Sequence, residues 1–567
     1  MNTGTTELMK KTMVKRAPLA ALSLLATALA QAAEPPPQIP SAGSILQQNQ
    51  PPKQPSASSN GTGLTLDKSS ASTSPPSAPF PVSDIQIAGN TLFDSATLHA
   101  LVADVEGRSL TLEQLGDAAA RITRYYQDHG YPLSRAVIPA QAVRNGVVHL
   151  QVIEARYGRI QLDNHSRVDD GLLASILSPL QSGQQIEQQA LDRSLLMLSD
   201  VPGVVDNATL KPGDAVGTSD LGIAAATEQA VTGNVTVDNY GNRYTGRPRV
   251  GGAINFIDLL HHGDVLSLDV LSTGNDMNYG RLSEDVLLNG LGTHVGASYS
   301  ALDYKLGHGL AALGGHGSAN VASLWARQTF VRTRGANLYG QLEYDHKQLD
   351  DDIDSTALQT DRHLDEATAT LIGDWRDAGG VNSWNLAFTQ GHLDFDNAAA
   401  RQSDAATART QGTFSKWSAN FNRIQAVGQD DSVYVALSGQ WSDTNLDASE
   451  KMVAGGLYTV RAYDMGVLSG DHGLLGNVEW RHLLGQVLGG QTQATVFFDS
   501  ERITLNRTPW VAATNSATLN GGGVGLNWFG PSQTSLQAAV AAPVGSRPEL
   551  IAGNKSVRGW IALSKSF

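Results

Sequence analysis

Histidines and aspartates cluster at a few points where a metal ion or a catalytic centre would need them. The run His261-His262-Gly263-Asp264 and His316, which lies among glycines, have the composition of turns, and we interpret them as turns rather than metal centres. Asp350-Asp351-Asp352 and Asp354 supply carboxylates that could bind calcium weakly, but a solvated acidic loop is favoured. None of these groups predicts a metal site.

No arrangement typical of an enzyme emerges from the remaining residues. The sequence contains no Gly-x-Ser-x-Gly elbow, no His-Glu-x-x-His pair and no phosphate loop. The glycine run from Gly521 to Gly525 has no β-α-β context, so we predict a bend in a strand. The absence of cysteine excludes thiolate chemistry and a disulfide scaffold. We therefore predict no enzyme activity and no cofactor.

Length and charge narrow the class of protein further. A chain of 567 residues is long for one domain, and two to four units are expected. The net charge of -14 argues against nucleic acid as a partner. The combination of 58 glycines with 41% hydrophobic residues occurs in soluble all-β proteins and in membrane barrels, whose inner faces are polar.

The first 32 residues are predicted to be a secretory signal peptide. Basic residues between Lys10 and Arg16 precede an apolar run from Ala17 to Ala28, and Ala30-Gln31-Ala32 gives a small-x-small cleavage pattern. A membrane anchor is the alternative, but the run is too short to span a bilayer comfortably. Cleavage would leave a mature net charge of roughly -17.

Residues 33–80 are rich in Pro, Ser and Gln and nearly free of aromatics, which is typical of an extended or disordered linker. The short apolar patch Ser44-Ile45-Leu46 leaves two alternatives open. It could form a short helix that acts as a plug, but we favour an unstructured tail.

Residues 81–156 are predicted to form a compact α/β module. A strand around Ile85 leads into a helix capped by Asp94. Thr111-Leu112-Glu113-Gln114 fits a capping box and begins a second helix with an apolar stripe through Tyr126. Two further strands end near Ile153, so the predicted order is β-α-α-β-β.

The same order recurs in residues 157–228. A strand is predicted over Tyr157–Leu162, helices over Asp169–Leu177 and Gln189–Leu198, and strands over Asp206–Leu210 and Leu221–Ala225. The chain therefore carries two such modules in tandem.

From residue 229 to the end, short alternating segments replace helical patterns. In Val265–Leu271 and Asn337–Asp345, apolar residues alternate with polar ones. Such strands fill roughly 335 residues, too many for one sandwich. About 20 residues per strand and loop would give about 16 strands, an even number as in bacterial barrels. No apolar run could form a membrane-spanning helix, so a membrane location would require a closed barrel.

The chain ends in an alternating strand and a terminal aromatic residue, Phe567. Ile561, Leu563 and Phe567 share one face, which Lys565 interrupts, and Trp560 lies on the other face. The ending resembles bacterial outer-membrane barrels, in which it is an assembly signal. A terminal strand of a soluble sheet is the alternative.

Several stretches resemble two-partner secretion transporters, the hemolysin-activator class of the outer-membrane assembly superfamily. These stretches are Ile122–Pro132, Ile138–Gln141, Gly146–Val148, Val152–Glu154, Leu198–Val204, Leu210–Gly213, Gly217–Leu221, Val237–Gly241 and Tyr244–Gly246. The resemblance covers nearly everything after residue 81. It implies that the tandem modules are polypeptide-transport-associated (POTRA) domains in the periplasm, whose sheet edges capture extended chains.

The resemblance also supplies a candidate site. Val460-Arg461-Ala462-Tyr463 matches a family motif at the tip of a loop folded into the barrel, with Ala462 in place of the usual glycine. In the family this arginine pairs with an aspartate on the barrel wall, and the candidate is Asp499. Period-2 counting in Ala494–Asp499 independently points Asp499 inward. Glu501 stands where the family often has glycine, which weakens the expected fit of the loop. Arg461, Tyr463 and Asp499 are thus the predicted lumenal loop lock.

The predicted function is an outer-membrane pore that captures a dedicated hemolysin- or adhesin-type exoprotein and secretes it to the cell surface. Its partners would be that exoprotein with its N-terminal secretion domain, outer-membrane lipid and the barrel assembly machinery. Because no nucleotide site is visible, folding of the cargo outside would have to drive export. The alternatives are a barrel-protein insertase of the same superfamily and a plain porin or barrel enzyme.

Overall fold

The computed structural model of the chain describes residues 39–49, 59, 61–66, 77–551 and 556–567. The predicted signal peptide, residues 1–32, lies outside the described residues, as does much of the predicted linker. Among the described helices, none is both long and apolar enough to cross a membrane.

Two described parts of the predicted linker are ordered, so the expectation of an unstructured tail is wrong there. Helix α1 spans Ala42–Asn49, with Ile45 and Leu46 fully buried. Strand β1 spans Leu64–Leu66. An isolated helix of eight residues is not stable in water, so α1 depends on its surroundings in the folded chain.

The first module follows the predicted order with one added short strand pair. It consists of β2 (Phe80–Val82), β3 (Asp84–Ala88), α2 (Ser95–Ala100), β4 (Arg108–Leu110), α3 (Leu112–Asp128), β5 (Arg135–Val137) and β6 (Val147–Ile153). Asp94 caps α2, and Thr111 and Gln114 form the capping box of α3. The sheet order is β3-β6-β5, and β2 pairs separately with β4. The apolar stripe of α3 is buried, including Leu115, Ile122 and Tyr126.

The second module repeats this architecture. It consists of β7 (Arg156–His165), α4 (Asp170–Leu177), α5 (Gln188–Ser199), β8 (Val204–Pro212) and β9 (Thr218–Thr227). The sheet order is β1-β8-β9-β7, so β1 covers the outer edge of β8 in a parallel pairing. Both helices pack their leucines into one apolar core with the sheet.

The remainder of the chain forms a closed barrel of 16 antiparallel strands, which confirms the predicted fold class. The strands are β10 (Val231–Asp238), β11 (Arg249–Ile257), β12 (Val265–Ser272), β13 (Met277–Leu287), β14 (Thr293–Lys305), β15 (Gly315–Arg332), β16 (Ala336–Ile353), β17 (Leu358–Asp377), β18 (Gly380–Phe395), β19 (Gly412–Ala426), β20 (Asp431–Ser442), β23 (His472–Val487), β24 (Gly490–Thr504), β25 (Ser516–Phe529), β26 (Thr534–Pro543) and β27 (Arg558–Ser566). A short helix, α6 (Ala398–Ala406), lies between β18 and β19. The short pair β21 (Met452–Ala454) and β22 (Leu468–Gly470) lies between β20 and β23.

Alternation along the strands separates two environments. Leu342, Val478 and Leu563 are about half exposed or more on the outer face, at 66%, 48% and 50%. The inner face carries polar and charged side chains that are buried by other parts of the chain. An apolar exterior around a polar interior is the pattern of a barrel in a lipid bilayer.

Two expectations about polar residues need correction. Asp350, Asp351 and Asp352 belong to the end of strand β16 rather than to a loop, and His316 lies in β15 rather than in a turn. The long strands β15 to β18 continue far past their apolar middle sections, so their ends have the composition of loops. His261 and His262 do lie in a turn, as predicted. The Gly521–Gly525 run lies within β25.

The second module is docked on one rim of the barrel. Arg332, at the end of β15, donates to both carboxylate oxygens of Asp200 at 2.6 and 2.7 Å. Arg334 pairs with Asp192 at 2.6 Å, and the carbonyl of His261 accepts a hydrogen bond from the N–H of Asp169 at 2.9 Å. The Arg332 side chain is fully buried. The barrel wall and the module are therefore joined by directional contacts at several turns.

Candidate functional site in the barrel lumen

The segment between β20 and β23, residues 443–471, folds back into the barrel, and we name it the lumenal loop. Its tip carries Arg461, whose guanidinium donates to Asp499 of β24 from Nε at 2.9 Å and from Nη2 at 2.6 Å. The backbone N–H of Arg461 also donates to Asp499, at 3.0 Å. This bidentate geometry fixes both the position and the orientation of the loop tip.

Further side chains complete the arrangement around Arg461. Glu479 of β23 accepts from Nη1 of Arg461 at 2.6 Å, and Asn477 donates to Asp499 at 2.9 Å. The guanidinium lies 3.4 Å from the ring centre of Phe497, a cation–π contact. We refer to Arg461, Glu479 and Asp499 as the first anchor.

Burial and charge act in opposite directions at this anchor. Asp499 is fully buried, and the Arg461 side chain is 11% exposed. Burial alone would lower the pKa of Arg461, but Asp499 and Glu479 outweigh it and raise the pKa. The guanidinium therefore stays charged. Removal of Arg461 would leave the buried Asp499 without its counter-ion, whereas removal of Asp499 would leave Arg461 paired with Glu479 alone.

The rest of the motif packs against the wall through apolar contacts. Val460, Ala462 and Tyr463 are buried in a cluster that includes Phe497 and Leu519. Ala462 has no positive φ, so the torsion reserved for glycine is not needed at this position. A Cβ at Gly521 of β25 would lie 2.6 Å from the Cβ of Ala462. The glycine therefore provides the space that Ala462 occupies.

The sequence did not identify several residues of the site. Trp560 of β27 donates from Nε1 to the carbonyl of Arg461 at 2.8 Å, which links the terminal strand to the loop tip. Period-2 counting could have found both Trp560 and Glu479. Trp560 lies on the polar face of its strand, and Glu479 alternates with the outward Val478 and Trp480, so both point inward. Glu501, the residue expected to weaken the fit of the loop, is fully buried, and the Arg461–Asp499 ion pair forms nonetheless.

Helix α1 shares the lumen with the loop. Gln48 accepts from Asn242 at 2.7 Å, and the same Asn242 amide donates to the carbonyl of Met465 at 3.2 Å. A Cβ on Gly43 would lie 2.7 Å from the backbone nitrogen of Ser449. Helix and loop are thus packed together as one obstruction of the barrel interior.

Phe567, the predicted assembly signal, lies where the first and last strands of the barrel pair. Strand β27 pairs with β10, and the backbone N–H and carbonyl of Phe567 exchange hydrogen bonds with Gly233, both at 3.0 Å. The Phe567 ring packs over Gly233, where a Cβ would come within 2.6 Å of it. The residue therefore completes the last pairing of the seam with its backbone and presents its ring to the exterior, 52% exposed.

A lipid-facing barrel of this size, obstructed from inside and preceded by α/β modules at one rim, defines an outer-membrane transporter with its modules in the periplasm. Family comparison agrees. Residues 80–155 match the model of the ShlB-type POTRA domain, and residues 217–528 match that of the haemolysin secretion/activation proteins ShlB/FhaC/HecB. The chain belongs to this second family, which is a family of two-partner secretion transporters.

Characterised proteins show the same relationship over most of the chain. The heme/hemopexin transporter protein HuxB of Haemophilus influenzae is 25% identical over 86% of this chain and 87% of its own length. The outer membrane transporter CdiB of Escherichia coli is 24% identical over 84% of this chain and 83% of its own. The solved structure of CdiB from Escherichia coli superposes with a TM-score of 0.68 at 21% identity, covering 88% of this chain and 93% of that one.

Proposed function

We propose that this protein secretes one dedicated exoprotein across the outer membrane, and that it does so without enzyme activity of its own. The observation that supports this proposal is the obstruction of the barrel lumen. This obstruction is made of chain segments held by side-chain contacts rather than of barrel wall, so the pore can be cleared while the barrel stays intact. A plain porin does not require such a device.

The capture of cargo is assigned to the tandem modules. We infer that residues 157–228 form a second POTRA domain beside the one at residues 81–156. Extended chains bind open sheet edges by adding a strand, and β8 presents such an edge, which β1 covers in the resting structure. The three-residue pairing of β1 is short enough to be exchanged for a cargo strand.

The family name and the named relatives suggest the class of cargo. HuxB is named for heme and hemopexin, and the family for haemolysin, so we propose a large secreted β-rich protein with an N-terminal secretion domain. Export would be driven by folding of that cargo outside the cell. Outer-membrane lipid surrounds the barrel, and the barrel assembly machinery would insert it, with Phe567 as part of the signal.

Deletion of residues 81–225 tests the proposal. The truncated protein should still insert and conduct ions, while secretion of the exoprotein stops. A finer test is Ala208→Pro, which removes the N–H that β8 presents to its covered edge. Because Ala208 is fully buried, Ala208→Gly, which keeps this N–H and adds no volume to the core, serves as the control. Normal export by the deletion variant would show that the modules do not capture cargo.

A further inference from the structure

The lumenal loop is held at a second place, by residues distinct from the first anchor. Glu450 of the loop accepts from Lys347 of β16 and from Lys416 of β19, both at 2.7 Å. The carboxylate side chain is 1% exposed, and Nζ of Lys347 also lies 2.6 Å from Glu366 of β17. A loop carboxylate thus bridges two lysines from different strands at a buried position.

A second loop carboxylate lies beside it. Asp447 accepts from Nε of Arg362 at 2.7 Å, and Nη1 of the same arginine donates to Asp351 at 2.8 Å. Asp351 in turn accepts from the N–H of Ala42, the first residue of α1, at 2.7 Å. The buried Arg362 of β17 therefore connects the lumenal loop to the barrel wall and, through Asp351, to the start of α1.

Docking of the loop changes the charge balance at this place, because the loop supplies two of the four carboxylates that surround three cations. Burial would raise the pKa of Asp447, but Arg362 and Ser449 outweigh it and lower the pKa, so the carboxylate is ionised at neutral pH. If the loop leaves, it takes Asp447 and Glu450 with it. The wall then retains three cations, Lys347, Arg362 and Lys416, with Asp351 and Glu366 as their remaining carboxylate partners at this place.

The two sets of contacts are independent of each other in structure. The first anchor uses β23 and β24, whereas this one uses β16, β17 and β19, and the two share no residue. Interactions with no shared partner contribute additively in free energy, whereas the two sides of one ion pair do not. Additivity therefore distinguishes one anchor from two.

We propose that Asp447 and Glu450 form a second anchor of the lumenal loop, so that release of Arg461 from Asp499 frees only the tip and the pore clears when both anchors open. Glu450 is thus a positioning residue of the obstruction. This second anchor deepens the proposed function and rests on it in one respect, because it specifies the contacts that cargo must displace. The contacts themselves hold the closed channel whether or not cargo is present.

Ion conductance of the purified full-length protein in planar bilayers tests this inference without any cargo. Glu450→Gln and Arg461→Ala are each expected to raise the fraction of time spent in the open state by about tenfold or more, since each leaves buried charges unpaired. The double variant should show the product of the two effects, about a hundredfold or more. By contrast, Arg461→Ala combined with Asp499→Ala should not exceed the stronger single variant by more than a small factor.

A matched control removes a comparable charge outside the lumen. Asp377→Asn breaks the partly exposed pair with Arg423 at the periplasmic rim and should leave the open fraction unchanged. If Glu450→Gln reduces the yield of folded barrel, Lys416→Gln tests the same contact from the wall side. Equal open fractions for Arg461→Ala and its combination with Glu450→Gln would overturn the second anchor. Because cargo is absent, this result is independent of whether the protein secretes the proposed exoprotein.

Discussion

Loss of the Arg461–Asp499 pair should impair secretion without preventing insertion of the barrel, because the freed loop tip leaves its fixed position but stays tethered in the lumen through Asp447 and Glu450. Arg461→Ala removes two hydrogen bonds to Asp499, one to Glu479 and the contact with Phe497, and it leaves the fully buried Asp499 without its cation. Breaking a buried pair costs about 3–5 kcal/mol, and less where water reaches the lumen. That free energy shifts the docking equilibrium of the loop by roughly a hundredfold to several thousandfold.

The reciprocal variant should have a smaller effect. Asp499→Ala leaves Arg461 in contact with Glu479 at 2.6 Å, so the cost should fall at the lower end of the same range. The double variant should be little worse than Arg461→Ala, because the two residues form one interaction. Exoprotein secretion is the assay, with conductance of the purified protein as the check on insertion.

Arg481→Ala is the matched control for this series. Arg481 also pairs with Glu479, at 2.7 Å, and lies over Tyr434, so its loss removes a lumenal arginine without touching the loop. Secretion should stay near normal in this variant. Additive defects of Arg461→Ala and Asp499→Ala, or full secretion by Arg461→Ala, would refute the pairing as the loop lock.

Two further predictions concern other parts of the chain. Deletion of Phe567 removes the last backbone pairing with Gly233 and should lower the amount of heat-modifiable barrel in the outer membrane; unchanged levels on gels would contradict its role as assembly signal. Burial raises the pKa of Glu154 in the first module, but hydrogen bonds from Thr91, Leu92 and Tyr126 outweigh it and lower the pKa overall. Glu154 therefore stabilises this module above its ordinary pKa, and the stabilisation is lost as the pH falls through the lowered value. Thermal melts followed by the helix signal at 222 nm should show this acid sensitivity, which Glu154→Gln should abolish; identical pH profiles would exclude it.

Local patterns were sufficient to predict most of the architecture. The capping box at Thr111 and the helical stripe below it are local features, and the structure contains both. The period-2 pattern likewise predicted the strands of the barrel and the inward direction of Asp499, while the length of the alternating region predicted the strand number. Each of these features depends on neighbouring residues, so the sequence reports it directly.

Features that depend on distant partners were missed. Helix α1 is too short to form alone, and it is held by contacts with residues such as Asn242 and Asp351 that lie hundreds of positions away. The second anchor joins Glu450 to lysines on two different strands, and no local spacing announces such a contact. The composition of Asp350–Asp352 predicts a loop, but these residues lie at the end of β16, because the strand continues beyond the apolar belt.

The docking of the second module connects the periplasmic rim of the barrel mechanically to the lumen. Arg332 ends β15 and Arg334 lies in the turn that joins β15 to β16, and both bind acidic residues of the module. Strand β16 runs from this turn to Lys347, about 35 Å along its length at the usual rise per residue. A pull on a chain bound by the module would therefore load β16, the same strand that holds the lumenal loop through Lys347. Force applied from the periplasm and opening of the pore would then act on one strand.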